Sequence, residues 1–138
     1  MSSAAPRQVI DYALARRAVL ADLFAGRVSS TDVCDAHPYL LRAAKHHGEV
    51  SDTRCPVCRH ADPLVHVTYV YGDRLGESSG RARPTAQLAA IAREYGEVHV
   101  YVVEVCPRCS WNHLVSSHVR GSVSAAAPRS TRSRAAGR

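Results

Sequence analysis

Two cysteine pairs of identical form, Cys55-Pro56-Val57-Cys58 and Cys106-Pro107-Arg108-Cys109, stand 47 residues apart in a chain of 138 residues. Two residues between cysteines let both thiolates turn toward one point while neighbouring backbone amides hydrogen-bond to sulfur. Two such knuckles complete a tetrahedral S4 site, the donor set that suits Zn(2+). The expected metal ligands are therefore Cys55, Cys58, Cys106 and Cys109, and the expected cofactor is zinc. The gap between the pairs exceeds the ~15 to 20 residues of the simple pattern, so the halves must be separated by an insertion.

Other chemistries for these thiols fit less well. A thioredoxin-type dithiol needs one CxxC at a helix N-terminus after a strand, whereas these motifs precede or join strands. A zinc deaminase needs a histidine or cysteine two residues before a glutamate, and Val102 occupies that place before Glu104. A catalytic zinc keeps one position open, which four cysteines would fill. His60 and His113 are close enough in sequence to replace a cysteine, but they read as partners to backbone or solvent beside the knuckles. Cys34 and His37, three apart, have the form of a nucleophile and base; no oxyanion partner accompanies them, and Cys34 reads as a small buried thiol. No catalytic residue is expected. His46 and His47 suit the negative end of a helix. Trp111 is expected to shield the metal or pack under the sheet, an exposed stacking platform being the alternative.

Stepping outward to the elements, residues 8–25 place Ile10, Leu14, Ala18, Ala21 and Phe24 at helical spacing, closed by Gly26. Ser29 or Ser30 can cap a second helix near Thr31, and Pro38 breaks it. A third helix then runs from Pro38 through Leu40, Leu41 and Ala44 to His46, with Gly48 as terminator. Residues 49–54 read as a polar turn. In 64–71, Val65, Val67, Tyr69 and Tyr71 alternate with His66 and Thr68, the pattern of a half-buried strand. Residues 72–83, with three glycines, read as a mobile loop; 85–95 as a short helix stopped by Gly96; 98–105 and 113–119 as two further strands.

Composition bounds what such a molecule does. At 46% hydrophobic and 22% charged the chain is globular, but its eight aromatics predict a modest core. One lysine against seventeen arginines, with twenty-one alanines, reads as the bias of a GC-rich genome. The formal charge is +6, yet residues 120–138 carry Arg120, Arg129, Arg132, Arg134 and Arg138 and no acid. The remainder is nearly neutral, which argues against a broad basic surface for duplex DNA. Any nonspecific nucleic-acid affinity is expected from the tail. No apolar leader or spanning segment is visible, so no membrane role is expected and the cytoplasm is the default location. There thiols stay reduced, which again favours metal over disulfides.

The run Asp35-Ala36-His37-Pro38-Tyr39-Leu40-Leu41-Arg42-Ala43-Ala44, the first knuckle with Val67-Thr68-Tyr69-Val70-Tyr71-Gly72-Asp73, and Tyr101-Val102-Val103-Glu104-Val105-Cys106 through Trp111-Asn112-His113-Leu114 together resemble a family of small actinobacterial proteins known as a domain of unknown function. The resemblance covers about residues 7–121. It implies a zinc-ribbon-like protein with both CPxC units as ligands, and it carries no activity.

The expected architecture is α+β: N-terminal helices over residues 1–48 packed on a split zinc ribbon, a three-stranded antiparallel sheet over 49–121 with an insertion at 72–96, then a disordered Arg-rich tail at 122–138. The expected function is a non-enzymatic zinc-binding adaptor or regulator, docking on transcription or translation machinery or on single-stranded nucleic acid. The alternative is a thiol-based redox sensor or enzyme using a labile zinc-cysteine site. A third reading, a protein-binding module, would use the 72–83 loop.

Overall fold

A computed structural model describes residues 5–122; the expected tail at 122–138 lies almost wholly outside the described residues. The chain is mixed α+β. Its antiparallel sheet has six strands rather than the expected three: β1 (Arg7–Asp11), β2 (Glu49–Arg54), β3 (Pro63–Tyr71), β4 (Arg81–Ala82), β5 (Val98–Val105) and β6 (Asn112–Arg120). The spatial order is β1-β6-β5-β3-β2, with β4 also on β3. β2 pairs with the first half of β3 and β4 with its second half.

Two of the extra strands correct specific expectations. The helix predicted over 8–25 begins later, as α1 (Ala13–Phe24), because Arg7–Asp11 pairs with β6 instead. Its inward face is also different: Ile10, Leu14 and Phe24 are exposed, while Leu20 is buried with Val19 and Leu23 packed beside it. The residues read as a polar turn, 49–54, form β2, held by pairing of Glu49 with His66 and Val50 with Val65. The 72–83 segment is not a bare loop but a kinked 3-10 helix (Asp73–Ser78) followed by β4. Its ends are fixed by hydrogen bonds from Gly80 N to Val70 O (2.7 Å) and from Arg83 N to Thr68 O (2.8 Å).

The middle helices follow local signals. α2 (Ser30–Val33) starts with a capping box between Ser29 and Asp32. α3 (Pro38–His47) begins with Pro38 in its first turn and stops at Gly48. α4 (Leu88–Tyr95) ends at Gly96, φ 76°.

β3 is covered on both faces, not one. On one side Val70, Val98 and Val100 pack with Leu88, Ile91 and Ala92 of α4, and Leu64 packs with Leu20 of α1, the cysteines and Trp111. On the other, Val67 and Val105 pack against Ala44 of α3. Residues alternate between faces along a strand, so α1 and α4 share one side of the sheet and α3 lies on the other. No helix among the described residues is long and apolar enough to cross a membrane.

Candidate metal centre

β2 and β3 form one hairpin and β5 and β6 another, and because β3 pairs antiparallel with β5, both turns fall at the same end of the sheet. Cys55 and Cys58 occupy the first turn, Cys106 and Cys109 the second. The two turns repeat one geometry. Arg59 N donates to Cys55 O (3.1 Å) and Ser110 N to Cys106 O (2.8 Å). Arg59 and Ser110, each directly after the second cysteine of its pair, take left-handed φ of 56° and 73°. Non-glycine residues enter that region sparingly, and here the paired turns demand it.

The four Sγ atoms lie within 4.8 Å of one another, with Cys55 and Cys106 buried. The Cys55–Cys109 and Cys58–Cys106 separations are 3.6 and 3.7 Å. A tetrahedron with metal–sulfur bonds of ~2.3 Å has edges of ~3.8 Å, so the donor set can hold a metal ion. The cysteines are free thiols. Their ionisation is uneven. Burial pushes Cys55, Cys106 and Cys109 up, Cys109 to about 12. At Cys58 burial acts in the same direction but is outweighed by hydrogen bonds from the backbone and ring of His60, which bring the thiol down to about 6.

A fifth thiol is present. Cys34 Sγ lies 3.6 Å from Cys109 Sγ, outside the mutual set of four. Ser30, Thr31, Cys34, Val57, Cys58 and Cys109 line an opening of about 430 Å³ on this side. Its position next to the tetrad was not evident from sequence, since α2 and the turn to α3 bring it there: Ala36 N bonds to Ser110 O (3.0 Å) and Asn112 Nδ2 to Asp35 Oδ1 (3.0 Å). Among the described residues His37 has no hydrogen bond to Cys34. Its Nδ1 accepts from Tyr39 N (3.1 Å) as the cap of α3.

Trp111 is completely buried beside the cysteines, so it is not an exposed platform. Its Nε1 donates to Glu104 Oε2 (2.7 Å), and the same oxygen receives Arg16 Nε of α1 (2.7 Å). Glu104 is only 5% exposed. This carboxylate therefore joins α1, β5 and the tryptophan beside the cysteines. A lone acid between Val103 and Val105 was the sequence signal for it. His113 stacks on Trp111 at 6.0 Å and stays outside the thiol set. His46 and His47 line a cavity against α3, away from the tetrad.

No solved structure matches the chain. Among curated proteins, it is 50% identical over 119 residues, 86% of each chain, to the uncharacterized protein Rv0049 of Mycobacterium tuberculosis H37Rv. The uncharacterized protein Mb0050 of Mycobacterium bovis matches to the same extent. Residues 3–134 match the family of unknown function DUF5318, and the chain belongs to that family.

Proposed function

We propose that Cys55, Cys58, Cys106 and Cys109 hold one structural Zn(2+), that the two hairpins they join act as a split zinc ribbon, and that the protein is a non-enzymatic cytoplasmic adaptor or regulator. Its partner would be transcription or translation machinery or single-stranded nucleic acid. The observation carrying this reading is the closure of the tetrad: four thiolate donors within 4.8 Å fill a tetrahedral sphere and leave no position for a substrate. His37, the only expected base, is engaged as a helix cap. Structural zinc contributes about 10 to 16 kcal/mol of apparent binding energy in zinc-finger peptides, enough to decide whether a small core folds. Metal analysis of the purified chain should give one zinc per molecule. Cys109→Ser should lose the metal and the cooperative melt, whereas Cys34→Ser should keep both. A Cys109→Ser protein with stoichiometric metal and a native melt would overturn the four-thiolate assignment.

The 3.6 Å approach of Cys34 to Cys109 favours one second reading, a redox sensor. Hydrogen peroxide would oxidise the Cys34 thiol and the Cys109 thiolate to a disulfide, the Cys34 proton and one proton from solvent leaving with the two peroxide oxygens as two waters. Cys109 would then be lost as a ligand. Zinc release under peroxide that is much slower in Cys34→Ser than in the parent supports this; equal rates exclude it.

A further inference from the structure

The side of the sheet that carries α3 is only half covered. Beyond the helix, Tyr69 stands opposite Tyr101 and Tyr71 opposite His99 across β3 and β5. With Val103 and Leu114 they line an open depression of about 570 Å³. Tyr71 is 45% exposed and meets Tyr101 edge-on at 5.6 Å between ring centres. Tyr71 is exposed and Tyr69 and Tyr101 are half-buried, so three of the chain's eight aromatics edge this depression.

Tyr69 also belongs to the wall of a second, larger cavity of about 1000 Å³, between α3 and β4. Around it stand Tyr39, Arg42, His46, His47, Arg81 and Arg83, and no carboxylate lines it. The ion pairs found among the described residues use Arg7, Arg16, Arg27 and Arg108, and none uses these three arginines. Arg42 lies over the Tyr39 ring at 5.3 Å. The negative end of α3 offsets part of the charge of its last turn, whereas Arg81 lies on β4 and Arg83 directly follows it, away from any helix end. Glu49, just past the end of α3, accepts from Thr85 N and Oγ1 (3.0 Å each), while Asp73 and Glu97 sit at the far rim beyond Tyr71, where Glu97 is paired with Arg7 at 2.7 Å. Charge is thus polarised along one continuous surface, cationic at the α3 end and aromatic over the sheet.

We infer that this surface binds single-stranded nucleic acid, with phosphates on Arg42, Arg81 and Arg83 and bases stacked on Tyr39, Tyr71 and Tyr101. Guanidinium groups take phosphate oxygens in bidentate fashion, and exposed rings take unpaired bases of any sequence. A duplex keeps its base faces stacked inside and offers nothing to the tyrosines. The inference rests on the non-enzymatic binding reading above and names the partner and the surface.

The test uses the full-length zinc-loaded chain with fluorescently labelled U12 and dT12 oligonucleotides, read by anisotropy at two salt concentrations. The exposed positions are substituted, so folding can be verified by zinc content and melting. Tyr71→Ala and Tyr39→Ala should each weaken binding roughly 5- to 150-fold, the loss of one stacked base. Arg81→Ala with Arg83→Ala should flatten the slope of log K against log salt by about 1.4, at ~0.7 per phosphate contact. Folded parent protein that binds neither oligonucleotide at low salt would overturn the inference and leave the adaptor reading intact. So would variants that bind as the parent does, because the affinity would then reside elsewhere in the chain. Cleavage of a bound oligonucleotide would instead overturn the non-enzymatic reading while the binding surface stood.

Discussion

Replacing Arg16 by alanine should destabilise the fold measurably although the residue is itself partly exposed. The residue sits on α1 and its Nε gives Glu104 Oε2 a 2.7 Å charge-assisted bond, on a carboxylate that is 5% exposed. Losing one partner of a fully buried ion pair costs about 3 to 5 kcal/mol, because the other charge is left without compensation. Here the Arg16 side chain is 29% exposed, so water can reach the orphaned oxygen from that side. Trp111 Nε1 also remains as a donor. The expected loss is therefore nearer 2 to 3 kcal/mol, about that of a hydrogen bond to a charged group. Urea unfolding in saturating zinc should show this as a midpoint lower by roughly 0.7 to 3 M, given typical slopes of ~1 to 3 kcal/mol per molar. A cycle with Glu104→Gln isolates the pair, and the coupling should exceed about 1 kcal/mol. Arg16→Ala within about 0.5 kcal/mol of the parent, or a coupling near zero, would refute the claim that this carboxylate ties α1 to the sheet.

Two further outcomes follow from local geometry. Gly121 has φ +85°, and a Cβ there would stand 2.3 Å from the Gly96 carbonyl oxygen; Gly121→Ala should therefore lower the melting temperature by about 5 °C or more. Burial, and then the Arg120 guanidinium, hold the His118 imidazole below its ordinary value of 6.5. The unfolded chain thus takes up a proton that the fold refuses, so stability present above 6.5 is lost as the pH falls toward the lowered folded value. Denaturation midpoints on either side of that window should drop less on acidification in His118→Gln than in the parent.

How much of this was legible in the sequence varied with where each signal lived. The tetrad was, because a CPxC pair specifies its own turn and the two turns carry the same geometry. α3 was as well, since Pro38 and Gly48 mark its ends by backbone chemistry alone. β2 was not: Glu49-Val50-Ser51-Asp52-Thr53-Arg54 is polar, and it becomes a strand only because β3 offers it a ladder. β1 misled for the opposite reason, since Ile10 and Leu14 are four apart and mimic a helical face that both leave exposed. Leu64 and Thr68 are buried opposite Val67, so the alternation in β3 reported a strand but not its second covered face. The near-neutral charge of the body was correctly summed and still concealed its distribution. Arg42 is far in sequence from Arg81 and Arg83, and only the packing of α3 beside β4 brings it to them.

The irregular strands at the two margins of the sheet have a consequence for the molecule at high concentration. β1 carries exposed Val9 and Ile10, and its pairing with β6 slips between Arg7 and Ile10, where Gln8 takes φ 52°. β2 slips in the same way between Val50 and Arg54. A strand adds to an open margin only where several successive amides and carbonyls lie in register, and a bulge twists that row out of line. Both margins of this sheet are broken within a few residues. Backbone geometry at β1 and β2, together with Asp52 and Arg54 on β2, thus disfavours the addition of a further strand at either of these margins.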